Sequence, residues 1–165
     1  MGHKEIDVRQ VIPALPAAVF ASLLDRSSWP AWSGHTAFEL VRPGTAGPYD
    51  VGSVGLLHSG RRRVVREEIV EVVADRRIGY TLLAGLPLRH YRAGFDLTPV
   101  GEGTEVRWHS SFDAPPGFGW IYVAALRRFT RRMLEGLEGR LVTARPGRAG
   151  SDLRPAELQD GPHLH

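Results

Sequence analysis

The 165-residue chain contains no cysteine. Disulfides, thiolate metal sites and a cysteine nucleophile are therefore excluded. It has no asparagine either, which removes N-glycosylation. Lysine is almost absent: Lys4 stands alone, and Arg supplies the rest of the 21 basic residues. No apolar run approaches the roughly 20 residues of a membrane span, and none follows a basic N-terminus in the manner of a secretory leader. Signatures of catalysis are missing too. In VGSVG (51–55) Ser53 falls one position too early for a nucleophile elbow. Neither a phosphate-binding loop nor H-E-x-x-H occurs, and GEGTEV (101–106) reads as a hairpin turn, not a dinucleotide fingerprint. These absences lead to the expectation of a bacterial cytoplasmic protein with no cofactor and no metal.

What is present is ordinary globular material, 42% apolar and 24% charged, which suits one domain over residues 1–145. Residues 146–165 turn to Pro, Gly, Arg and Asp and are expected to form a disordered tail. The formal net charge of +3 is too small to mark a nucleic-acid binder, so none is expected. The arginines suit anions.

Periodicity predicts the elements. EIDVRQVIP (5–13) alternates as a half-buried strand, with Ile6, Val8 and Ile12 on one face. ALPAAVFASLLDR carries Val19, Phe20, Leu23 and Leu24 at helical spacing, with Pro16 in the first turn. SSWPAWSG (27–34) reads as a second short helix, with Ser28 as its cap, Pro30 in its first turn and Gly34 at its end. Strands follow in TAFELVRP, SVGLLHS, the two halves of RRVVREEIVEVVADRRIGYTLLAG, LRHYRAGFDLTPV and TEVRWHSSFD. From about Pro116, Tyr122, Leu126, Phe129, Met133, Leu137 and Leu141 recur every three or four residues, which predicts a long amphipathic helix. Its other side carries Arg127, Arg128, Arg131 and Arg132.

One antiparallel sheet of six or seven strands with one apolar face needs a cover. The long helix supplies it, and the two short helices plug one end. The expected class is α+β: a curved sheet gripping a C-terminal helix.

VIPALPAAVFASLLDRSSWPAWS (11–33) resembles the N-terminal signature of the START-like, or SRPBCC, superfamily. VREEIVEVVADRRIGYTLLAGLPLRHYRAGFDLTPVGEGTEVRW (65–108) resembles its polyketide cyclase/dehydrase-like subset. The resemblance spans about residues 5–142. It implies the helix-grip fold of the birch-pollen allergen, with an apolar cavity between sheet and long helix. Members include lipid carriers, hormone receptors and aromatase/cyclases, so the resemblance implies a ligand cavity more than any reaction. It would place Trp29 and Trp32 at the cavity mouth.

Side-chain alternation supplies the expected walls. Val106, Trp108, Ser110 and Phe112 share one face of the last strand, and Tyr91, Phe95 and Leu97 one face of the strand before it. Ile78, Tyr80 and Leu82 form the better inward phase of theirs, and Trp120 and Val123 would close the cavity from the helix. The strand at 64–73 is ambiguous. One phase sends Arg66 and Glu68 inward and the other Val65, Glu67 and Ile69, and an inward charge would need a partner or a ligand.

The expected function is binding of a small hydrophobic ligand, lipid or polyketide-like, at Trp29, Trp32, Tyr80, Leu82, Tyr91, Phe95, Trp108, Ser110, Phe112, Trp120 and Val123. The alternative is a polyketide cyclase/dehydrase-type enzyme, for which Arg66 and Tyr91 are the candidate catalytic groups. A third reading has Arg127, Arg128, Arg131 and Arg132 meet an acidic partner or an anionic membrane surface. Either a monomer or a homodimer fits. His58, His90 and His109 fall on strands and read as surface or edge residues, while His3, His163 and His165 lie near the ends.

Overall fold

A computed structural model describes residues 1–144. The predicted C-terminal tail, with His163 and His165, lies outside the described residues. The chain runs β1 (Gly2–Ile12), α1 (Pro16–Leu24), a 3₁₀ helix (Arg26–Ala31), β2 (Ala37–Arg42), β3 (Val54–Ser59), β4 (Arg63–Val73), β5 (Arg77–Ala84), β6 (Arg89–Val100), β7 (Gly103–Ala114) and α2 (Gly119–Thr143). All seven strands join one antiparallel sheet in the order β1-β7-β6-β5-β4-β3-β2. This is the helix-grip α+β fold. β2 through β7 are hairpin neighbours, and the first strand returns beside the last. No helix among the described residues is long and apolar enough to cross a membrane.

The alternation works as the pattern requires. In β7, Thr104, Val106, Trp108, Ser110, Phe112 and Ala114 are buried, while the residues between them keep partial exposure. β6 buries Ala93, Phe95 and Leu97, and β5 buries Ile78 and Tyr80. α2 places Thr130, Met133, Leu134 and Leu137 against this face. The sheet wraps the helix because apolar side chains on both sides have nowhere else to leave water.

The segment around the two tryptophans differs from its predicted form. It is a 3₁₀ helix capped by Asp25, whose side chain accepts from the Ser27 amide at 3.1 Å. The Ser28 hydroxyl instead donates back to the Asp25 carbonyl at 2.8 Å and receives the Trp32 indole N–H at 3.2 Å. Pro30 lies inside the element, which a 3₁₀ turn tolerates for a few residues. Gly34 follows with φ of +83°, a left-handed conformation that glycine adopts without strain.

The ambiguity in β4 is resolved by burial, and the strand carries two irregularities. Its register against β5 shifts between Arg66 and Glu67 and again between Ile69 and Glu71. Ile69 is buried and Glu67 mostly so, while Arg66 is exposed. Glu68 pairs with Arg42 of the edge strand β2 at 3.1 Å. Of the two phases left open, the one with Val65, Glu67 and Ile69 inward is found, so Arg66, a candidate catalytic group, lies outside the interior. The second irregularity changes the phase only beyond Ile69, where Val72 packs on the core.

Candidate functional site

At one end of the interior the space beside Phe95 and Trp108 is filled by rings. Phe95 and Trp108 are 4.5 Å apart between centroids, Trp29 lies 6.2 Å from Phe95, and Phe129 of α2 lies 6.4 Å from Trp108. Trp29 is 2% exposed and its indole donates to the Leu23 carbonyl at 3.1 Å, which ties the 3₁₀ helix to α1. The expected apolar hollow is therefore occupied here by the protein's own aromatics. Toward the other end, where β6 begins and β7 finishes, Leu82, Leu88, Tyr91, Tyr122, Val123 and Leu126 remain only half-buried. By side-chain exposure that end is the more open of the two.

Between the two ends lies a buried polar cluster built from four elements. Arg26, from the 3₁₀ helix, is 4% exposed and donates from Nη1 to Glu67 Oε2 at 2.7 Å. Its guanidinium lies against two aromatic faces, 4.1 Å from the Trp29 ring and 4.9 Å from the Tyr80 ring. Cation–π contact of this kind strengthens when water is excluded. The Nε and Nη2 atoms of Arg26 are buried without a partner. That edge of a guanidinium is a side-on fork for an oxygen acceptor. Beside the pair is a hollow of about 10 Å³, roughly one water in size, lined by Arg26, Phe38, Ser53, Gly55, Leu57, Glu67 and Ile69.

Tyr80 continues the cluster. It receives the Trp108 indole N–H at 2.9 Å and faces Tyr91 at 6.4 Å between centroids. The Tyr91 ring stacks on Phe112 at 6.0 Å. Burial pushes both phenols well above their ordinary range, with the nearby Glu67 carboxylate acting in the same direction. Both stay protonated, so they can donate a hydrogen bond but cannot serve as bases. Burial also raises Glu67, against the opposing pull of Arg26.

His35 completes the wall. It is 6% exposed, 2.6 Å from the Ser33 hydroxyl through Nδ1, and edge-on to Phe129 at 5.3 Å. Burial first, and the positive charge of Arg26 second, bring its pKa down to about 4. It is a neutral imidazole at pH 7.

Of the residues expected from sequence, Trp29, Tyr80, Phe95, Trp108, Ser110 and Phe112 are buried in one interior, with Trp32, Leu82, Tyr91 and Val123 half-buried around them. Trp120 is 71% exposed. It lies about 100° around the helix from the inward stripe, so it does not line the interior. Arg26, His35 and Glu67 did not emerge from the sequence as site residues. One signal for Arg26 was available: it precedes Trp29 by three positions, which in a helical turn puts the two on one side. His58, His90 and His109 are half-buried or exposed: His90 pairs with Asp113 at 2.8 Å and His109 with Asp96 at 3.0 Å.

The opposite face of the sheet carries an ion-pair ladder. Asp7 binds Arg107 at 2.7 Å and Arg77 binds Asp96 at 2.7 Å. A shallow depression of about 470 Å³ crosses it over Gly79 and Gly94. Among the described residues no group of three His, Asp or Glu side chains is placed to hold a metal ion.

Comparison with known proteins agrees with this architecture. The START superfamily protein from Mycobacterium smegmatis superposes with a TM-score of 0.74 at 16% identity, covering 86% of this chain and 99% of that one. The ZhuI aromatase/cyclase from Streptomyces sp. R1128 also gives 0.74, at 15% identity, over 90% and 99%. Ara h 8.0201 gives 0.68 at 17% identity, over 86% and 99%. At these identities the likeness is one of fold. No curated protein matches the sequence. The sequence model described as polyketide cyclase/dehydrase and lipid transport matches residues 3–144, and the chain belongs to that family.

Proposed function

We propose that the protein binds a small, mainly apolar molecule, lipid or polyketide-like, between the sheet and α2. It enters at the open end and turns its polar end toward Arg26, Tyr80 and Tyr91. The observation that carries this reading is Arg26. A guanidinium held between two rings, with its Nε–Nη2 edge unpaired and out of water, is costly unless a ligand or an ordered water supplies an acceptor. Because Glu67 already offsets the charge of Arg26, an uncharged acceptor such as a carbonyl or hydroxyl oxygen suits the site better than a second carboxylate.

The affinity required is modest. Micromolar binding needs about 8 kcal/mol, and each buried methylene contributes about 0.8 kcal/mol before the cost of association. The open end, with Leu82, Leu88, Tyr91, Tyr122 and Val123, offers the apolar wall for this. The fold likeness to ZhuI supports a second reading, a cyclase/dehydrase-type reaction in which Arg26 would stabilise an enolate oxygen and Tyr91 would donate a hydrogen bond. Arg66, being exposed, has no part in either.

Native mass spectrometry of freshly purified protein, followed by titration with a fluorescent apolar probe, tests the binding reading. Saturable binding is expected, with a rise in melting temperature equivalent to about 2.7 kcal/mol at a hundredfold excess over Kd. Val123→Glu should abolish it and Arg66→Ala should leave it intact. Absence of saturable binding, or binding indifferent to Val123→Glu, overturns the reading. Turnover of a poly-ketone that stops in Arg26→Met decides for the enzyme.

A further inference from the structure

The start of α2 carries the exposed Phe and Trp side chains of the described residues. Phe118 is 57% exposed, Trp120 71% and Ile121 42%. The other three tryptophans are buried or half-buried. Trp120, Ala124, Arg127, Arg128 and Arg131 stand at i, i+4, i+7, i+8 and i+11, which is one side of a helix, and Ile121 and Arg132 flank that line. All these residues are exposed.

Up to Leu134 the charge on this side is of one sign; exposed Glu135 follows one turn after Arg131 on the same side. Arg127, Arg128, Arg131 and Arg132 have no acidic partner among the described residues. α2 has no acidic residue before Glu135. Lys4 lies against Gly119 and adds a further positive charge at the same end.

From this juxtaposition we propose that the outward face of α2 docks on an anionic phospholipid surface, with Phe118, Trp120 and Ile121 inserted at the headgroup boundary and the four arginines on the lipid phosphates. Aromatic and apolar side chains ahead of a cationic stripe are the combination that seats a helix in the plane of a bilayer. The arginine stems can lie along apolar surface while the heads reach phosphate. An acidic protein would satisfy the charges but would leave three large apolar side chains to find pockets of their own. A fluid bilayer accepts them without a preformed partner. Docking here brings the half-buried Tyr122 and Val123, and with them the open end of the interior, to the membrane.

Cosedimentation with vesicles of phosphatidylcholine alone, or with phosphatidylglycerol added, tests the proposal on the full chain. Trp120 is the well-exposed indole of the four, so brominated lipids should quench its fluorescence selectively. Binding is expected to vesicles containing phosphatidylglycerol, with quenching, and to be lost near about 1 M salt, where the screening length falls to roughly 3 Å. Each arginine removed should weaken partitioning roughly fivefold, so R127Q/R131Q should lose about 25-fold. Trp120→Ala should abolish quenching and weaken binding while leaving the melting temperature unchanged. No binding to anionic vesicles, binding without quenching, or binding undiminished in R127Q/R131Q overturns it. Burial of Trp120 through self-association, or by an acidic protein in place of lipid, also overturns it.

Discussion

Arg26 and Glu67 are 41 residues apart in sequence and meet at 2.7 Å inside the protein, one from a short 3₁₀ helix and the other from a bulged strand. The pair closes one side of the polar cluster and leaves the Nε–Nη2 edge of Arg26 buried without a hydrogen-bond partner.

Removing one member of this pair strands the other. Arg26→Met is expected to cost roughly 3–5 kcal/mol, because an unpaired carboxylate stays buried. Arg26→Met with Glu67→Leu is expected to recover most of that, since apolar substitution of a whole buried pair is often neutral or better. Urea unfolding of the two single variants and the double one measures the coupling. Equal losses in Arg26→Met and the double variant would show that the charge pair is not what the site depends on.

His35 makes stability depend on pH. Its pKa falls from 6.5 to about 4 on folding, so the unfolded chain takes up the proton first. The stabilisation from keeping it neutral is complete above pH 6.5 and is lost as pH falls toward 4. The loss is roughly 3 kcal/mol by linkage. Denaturant melts across this range should show the slope, and His35→Gln should flatten it.

Two glycines of α2 should respond oppositely to the same change. A Cβ on Gly136 would stand within bonding range of the Trp32 carbonyl oxygen, while one on Gly139 meets nothing within 4 Å. Gly139→Ala should therefore stabilise by about 0.5–1 kcal/mol through helix propensity. Gly136→Ala should destabilise despite the same gain, because the helix must move away from the segment that carries Trp29 and Trp32. Thermal melts of the two variants give the comparison directly.

Tyr80→Phe deletes the acceptor of the buried Trp108 indole N–H and the neighbour of Tyr91. An unsatisfied buried donor costs about 1–3 kcal/mol. The loss should appear in chemical unfolding together with a change in Trp108 emission. A melt indistinguishable from that of the parent would mean water replaces the phenol.

Most of the fold was legible in the chain itself. β7 could be assigned face by face because Val106, Trp108, Ser110 and Phe112 alternate without interruption against polar neighbours. α2 was legible because its apolar residues recur at helical spacing over six turns. The interior wall followed from these two patterns. The polar heart of the site did not. Alternation in β4 left two phases open, so it could not say whether Glu67 or Arg66 turns inward, and Arg26 finds Glu67 only after the 3₁₀ helix folds over the sheet. His35 gave no local sign, since its neutrality comes from burial and from the charge of Arg26, and part of that burial is supplied by Phe129 from α2.

Local pattern thus determined which segments are strands and helices and which of their faces shed water, because burial follows from a repeat that each segment carries within itself. Tertiary structure alone decided which charges go inside with those faces and which rings fill the space beside Phe95 and Trp108. Pairing a buried charge requires a partner from elsewhere in the chain, and no single segment contains that partner.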